Sequence, residues 1–201
     1  MSSRNHARHP QRGADDPGQL ALFRRPVIYE TVPEPVAETA AVVFPGAVVL
    51  PKAELSGYRG YSVVRWRHGL SERMAAQEPP MLDRATLSLW EMMLAGGGCA
   101  PASAVQIVGF IAAGGRWGRN LEAATALRGF AQTVVLTSSH PTAVSLTAAD
   151  FVDVTVARST AAGEVELLVR GRRRAGAPRD VAVRYWEERL FAHALAVGAI
   201  S

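Results

Sequence analysis

The chain is short of cysteine, of histidines at useful spacings and of long apolar runs, and each shortage removes a class of protein. A single cysteine, Cys99, excludes an intramolecular disulfide framework and any multi-cysteine zinc site within one chain. No apolar run reaches the roughly 18 residues that a membrane span needs, so no membrane partner is expected. The N-terminus lacks a secretory apolar core, and a cytoplasmic protein is the expectation. The five histidines, His6, His9, His68, His140 and His193, show no metal-ligand spacing. Ser139 and His140 are neighbours without a G-x-S-x-G elbow. Asp150 and Asp153 lack the third carboxylate of a recognisable nuclease pattern. The triple glycine Gly96-Gly97-Gly98 lacks the downstream Lys-Ser/Thr of a phosphate-binding loop. A non-enzymatic protein without metal or cofactor is therefore expected.

What the chain does carry is arginine. Over 201 residues the net charge is +4, and arginine supplies nearly all of the positive charge. Guanidinium groups suit bidentate contacts with phosphate, so nucleic acid is a reasonable partner. Residues 1–40, rich in Arg, His, Pro, Gly, Asp and Glu, read as a disordered tail, and residues 41–201 as one domain. One apolar island interrupts the tail: Gln19-Leu20-Ala21-Leu22-Phe23, between Pro17-Gly18 and Arg24-Arg25-Pro26. An apolar cluster with no local core either docks on its own domain or binds a partner's groove.

The domain opens with β-like segments between residues 42 and 66, then turns helical. Asp83 is the expected N-cap of a first helix, with Leu82 stapling onto Leu87 and Trp90, Met93 and Leu94 extending the buried face to the triple glycine. Pro101 begins a second helix that Val105, Ile107, Val108, Phe110 and Ile111 make apolar almost all round. After the turn at residues 114–118 a third helix runs over 119–132, burying Leu121, Ala124, Leu127 and Phe130 or Ala131. Segments 151–156 and 164–170 alternate and pair as a hairpin, residues 181–185 close the sheet, and 186–197 form a last helix.

Two resemblances follow. Gln19, Leu20, Leu22 and Phe23 match the pentapeptide by which bacterial replication and repair proteins bind the sliding clamp. That resemblance implies a rim hydrogen bond from Gln19 and a Leu22–Phe23 pair filling an apolar pocket. Helix, helix, turn, helix and hairpin is also the order of a winged helix, so the expected fold is α+β: a winged-helix-like three-helix core, an antiparallel β-hairpin and extra strands. With the tail motif, the stretches 82–91 and 114–127 resemble plasmid replication initiators of the TrfA kind, although the chain has room for one winged helix where those initiators use two. The implied function is a DNA-binding replication protein that recruits the clamp. Its double-stranded DNA would be held by Arg116 in the turn, by Arg119, Asn120, Thr125 and Arg128 near base edges, and by Arg170, Arg172, Arg173 and Arg174 on phosphate. The alternative is a protein-interaction or assembly subunit of a nucleoprotein complex, binding RNA or protein.

Overall fold

The apolar run Val105–Ala112 is a strand, where a second helix was expected. Its side chains are buried on both faces, and such a strand reads as a continuous hydrophobic run with no period to separate it from a buried helix. That change converts the whole domain. The computed structural model describes residues 31–97, 101–172 and 180–200. In chain order these form α1 (Glu34–Val43), β1 (Val48–Val49), β2 (Ala53–Leu55), β3 (Tyr58–Trp66), α2 (Gly69–Ala75), α3 (Arg84–Ala95) and β4 (Val105–Ala112). Then follow α4 (Trp117–Leu127), β5 (Gln132–Thr137), α5 (Ala143–Phe151), β6 (Thr155–Ser159), β7 (Val165–Val169) and α6 (Val181–Ala196).

The strands make one mixed seven-stranded sheet in the order β1-β3-β4-β5-β6-β7, with β2 also paired to β3. Strands β4, β5 and β6 run parallel, and β3 and β7 flank them antiparallel. Parallel neighbours need a crossover, which α4 supplies between β4 and β5 and α5 between β5 and β6. Alternation sorts the core into two layers. Phe110 and Ala112 of β4 pack with Ala123 and Leu127 of α4 and with Trp186, Leu190, Phe191 and Ala194 of α6. Val135 and Val156 meet Ala124 and Ala149 on that same side. On the other side Tyr61, Val63, Ile111, Val134 and Leu136 pack with Val36, Ala40, Val43 and Phe44. Helix α1 therefore begins inside the stretch assigned to the tail. Pro33 and Pro35 set its start, and Val36, Thr39, Ala40 and Val43 are its buried residues.

Other segments depart from expectation for local reasons. Residues 181–185 begin α6 rather than closing the sheet, because the Asp180 carboxylate accepts the Val183 N–H and caps a 16-residue helix. Phe151 ends α5, and the strand starts only after Asp153 has turned the chain at φ +58°. Leu82 and Met93, expected in the apolar contacts of the first helix, are 50% and 47% exposed, whereas Leu87 is fully buried. The hairpin β6–β7 forms, but its first strand is Thr155–Ser159 rather than 151–156, and Gly97 (φ +78°) stands just past the end of α3, where the left-handed region favours glycine. No helix of the described residues is long and apolar enough to cross a membrane.

Asp83 caps α3 as its sequence position suggested. Its carboxylate accepts the Thr86 hydroxyl at 2.6 Å and the Thr86 N–H at 2.9 Å. These bonds, with a weaker one from the Ala85 N–H, hold the carboxyl below its ordinary value of 3.8. A folded-state value below the unfolded one stabilises the fold above the unfolded pKa, and that contribution is lost as pH falls through the folded one. Asp83→Asn keeps an acceptor and removes the titration. The stability gap between wild type and this variant, read from urea melts, is expected to close as pH falls below 3.8. A gap independent of pH would overturn the assignment.

Candidate functional site

Three parallel strands that end together leave their connecting loops at one edge, and in open sheets of this kind ligands bind outside the carboxyl ends of the strands. Here β4 runs into Gly114-Gly115 and β5 into Ser138-Ser139-His140, and between the two loops lies a cleft of about 500 Å³. Gly114, at φ +74°, reverses the chain where other residues would be strained. Gly115 passes so close to Asn120 that an added Cβ would sit 2.7 Å from its Oδ1, and the Asn120 amide donates to the Gly115 carbonyl at 3.4 Å. The β4–α4 loop is thereby folded against the first turn of α4.

The opposite wall is built from hydroxyls. The Ser139 N–H donates to Thr137 Oγ1 at 3.2 Å, and the Thr137 and Ser139 hydroxyls lie 3.2 Å apart. Thr142 caps α5 by accepting the Ser145 N–H at 3.2 Å, with the two hydroxyls 3.0 Å apart. Trp117 closes the cleft on the α4 side, half-buried against the cluster of Ala124, Val135 and Val156. His140 is hydrogen-bonded to an arginine rather than to a serine. Its Nδ1 lies 3.1 Å from Arg158 Nη1, and Arg158 Nη2 reaches Glu166 Oε2 at 2.5 Å. A guanidinium only donates, so Nδ1 is the acceptor in this contact. Ser139 and His140 thus make no nucleophile–base pair.

No carboxylate lines the cleft, and three cations neighbour its lining residues. Arg116 and Arg119 are exposed beside the β4–α4 loop, and neither is ion-paired among the described residues. Lys52, the one lysine of the chain, places its Nζ 3.8 Å from where a Cβ on Gly114 would be. Among the described residues no group of three His, Cys, Asp or Glu gathers to hold a metal ion.

The structure divides the arginines expected to form one DNA surface. Arg116, Arg119 and Asn120 lie at the carboxyl edge. Arg128, Arg170 and Arg172 lie at the amino edge, roughly 15–20 Å away along α4 and the strands. There Arg128 donates to the Val152 carbonyl at 3.3 Å, Arg172 lies 3.4 Å from Asp153, and Arg170 borders a groove of about 230 Å³ with Gln132, Thr155 and Gly171. Thr125, in the last turn of α4, spends its hydroxyl on the Leu121 carbonyl at 2.7 Å. The face that α4 turns outward carries Arg119, Glu122 and Ala126, because the rest of the helix packs on the sheet. Gln19, Leu20, Leu22, Phe23, Arg173 and Arg174 lie outside the described residues. Of the residues in or beside the cleft, Lys52, Trp117, Ser138 and Thr142 were not singled out in the sequence, while Ser139 and His140 were considered only as a nucleophile–base pair. The signal available was a β–loop–α–β–loop–α order, concealed while 105–111 counted as helix.

The fold and cleft define an open mixed α/β protein with a hydroxyl-lined crevice at its strand ends. Beyond that class, comparison with protein families, curated proteins and solved structures returned no match.

Proposed function

We propose that this is a non-enzymatic DNA-binding protein of replication or repair, tethered to the bacterial sliding clamp by Gln19-Leu20-Ala21-Leu22-Phe23. The pentapeptide carries the reading. An apolar Leu-x-Leu-Phe cluster between charged and proline-rich flanks suits a linear motif that fills a partner's groove. The likeness to plasmid initiators contributes less, because a strand stands where their second helix would be. The domain supports the nucleic-acid half of the proposal through the exposed arginines of its two edges, Arg116 and Arg119 at one and Arg170 and Arg172 at the other, since exposed guanidiniums bind phosphate in a sequence-independent way. Binding of purified sliding clamp by the full chain, measured beside a Leu22→Ala/Phe23→Ala variant, tests it. The wild type should bind and the variant should lose at least about tenfold in affinity, as truncating the two anchor side chains of an interface does. Equal binding by both chains, or none by either, would overturn the clamp assignment.

A further inference from the structure

We propose that the carboxyl-edge cleft binds a nucleotide unit, a base with an open ring face joined to a phosphate, either within a single strand or free. The inference rests on the nucleic-acid reading above and gives it a site and a strandedness. The cleft of about 500 Å³ falls in the size range of small-ligand sites and accommodates one nucleotide rather than a duplex. Its aromatic wall is Trp117, one side of which is packed on the core while the ring borders the cleft. A base paired within a duplex is stacked above and below and offers no ring face. An unpaired base does, and stacks on an indole.

The remaining groups fit the same ligand. Asn120, Ser138, Ser139, Thr142 and Ser145 offer mixed donors and acceptors, which suit base edges and sugar hydroxyls. Arg116 and Arg119 are exposed next in the chain to the lining residues Gly115, Trp117 and Asn120, and Lys52 Nζ lies beside Gly114, so the phosphate of a nucleotide with its base on Trp117 would have cations within reach. The lining contains no acid, and the nearby Glu166 is already engaged by Arg158. Glu122 follows Arg119 by one turn on α4, so the favourable field for phosphate is confined to the helix's first turn.

Anisotropy titrations of the full chain with labelled (dT)15 and with a duplex of equal length test the proposal, using free dTTP and inorganic phosphate as competitors. The variants are Trp117→Ala, Trp117→Phe, Arg116→Ala/Arg119→Ala and, as an opposite-edge control, Arg170→Ala/Arg172→Ala. Thermal melts confirm that each is folded. The single strand should bind more tightly than the duplex. Trp117→Ala should weaken it about 5- to 150-fold while Trp117→Phe keeps most of the affinity. The Arg116/Arg119 variant should flatten the salt dependence by about 1.4 log units per log unit of salt, two phosphate contacts at about 0.7 each. The Arg170/Arg172 variant, whatever affinity it loses as a phosphate contact outside the cleft, should keep the wild-type preference for the single strand and the wild-type response to dTTP. Displacement by dTTP well below the effective phosphate concentration identifies a free nucleotide as an occupant, and failure of dTTP to displace identifies a strand. Phosphate competing as well as dTTP, preference for duplex, no binding, or wild-type affinity in Trp117→Ala would each overturn the site. Clamp capture is read separately, so a failed clamp assay with intact strand binding sinks only the tether, and the reverse result sinks only the cleft.

Discussion

Replacing Glu188 by alanine is expected to destabilise the fold by about 3–5 kcal/mol, the usual cost of stranding a buried charge. Glu188 of α6 is 1% exposed and serves two guanidiniums, Arg73 at 3% and Arg184 at 2%. Its Oε1 accepts Arg73 Nη1 at 2.7 Å and Arg184 Nε at 3.0 Å, and its Oε2 accepts the Met81 N–H at 2.9 Å. The arginines reach on to backbone carbonyls, Arg73 to Pro79 and Arg184 to Pro101, each at 2.8 Å. One carboxylate thus fastens α2, the link into α3 and the approach to β4 onto α6. Burial pushes the Arg184 guanidinium below its ordinary value; Glu188, through charge and hydrogen bond, and then Glu187 push it back up. Without Glu188, two cations face each other in the core with one acid fewer between them. For a domain of this length the loss corresponds to a fall in Tm of about 6–20 °C. Thermal melts measure it, and a loss below about 1 kcal/mol would refute the bridging role. Glu188→Gln, which keeps an acceptor and drops the charge, should fall between wild type and alanine.

Phe44→Ala should cost a similar amount, about 3–5 kcal/mol, for a different reason. Phe44 ends α1, is 5% exposed, and places its ring end-on over Gly109 of β4. A Cβ on Gly109 would come within 2.3 Å of the ring carbon Cζ, so the missing side chain is the seat of the aromatic. The β3–β4 register shifts beside this point, between Val63 and Val64, which bends the strand under the ring. Gly109→Ala alone should therefore overpack the layer and cost about 1–3 kcal/mol. Combined, the two substitutions should cost less than their sum, because the new methyl occupies space that the ring has left. Urea denaturation of the four chains measures this coupling. Strict additivity would show that the ring and the glycine are not partners.

Local chemistry was legible in the sequence wherever a residue acts on its own neighbours. Asp83 caps α3, the glycines after Ala95 end it, Gly163 turns the β6–β7 hairpin, and the helix expected over 119–132 forms over Trp117–Leu127 with Ala124 and Leu127 inward. These depend on capping hydrogen bonds, φ preference and a 3.6-residue period, all written within a few positions. The scarcity of cysteine, the arginine bias and the apolar island at residues 19–23 are likewise properties of the chain itself.

Tertiary structure decided the rest. Val105–Ala112 is a strand because both of its faces are covered, by α4 and α6 on one side and by Phe44 and its neighbours on the other. No periodicity within the run states that, since a segment buried all round carries none. Once it is a strand, β4, β5 and β6 align in parallel and bring Gly114-Gly115 and Ser138-Ser139-His140 to one edge, though 24 positions separate Gly114 from Ser138 (138 − 114). The same geometry parts Arg116 and Arg119 from Arg170 and Arg172. The charges were visible in the chain, but which of them share a surface depends on strand direction, and only the assembled sheet sets that direction.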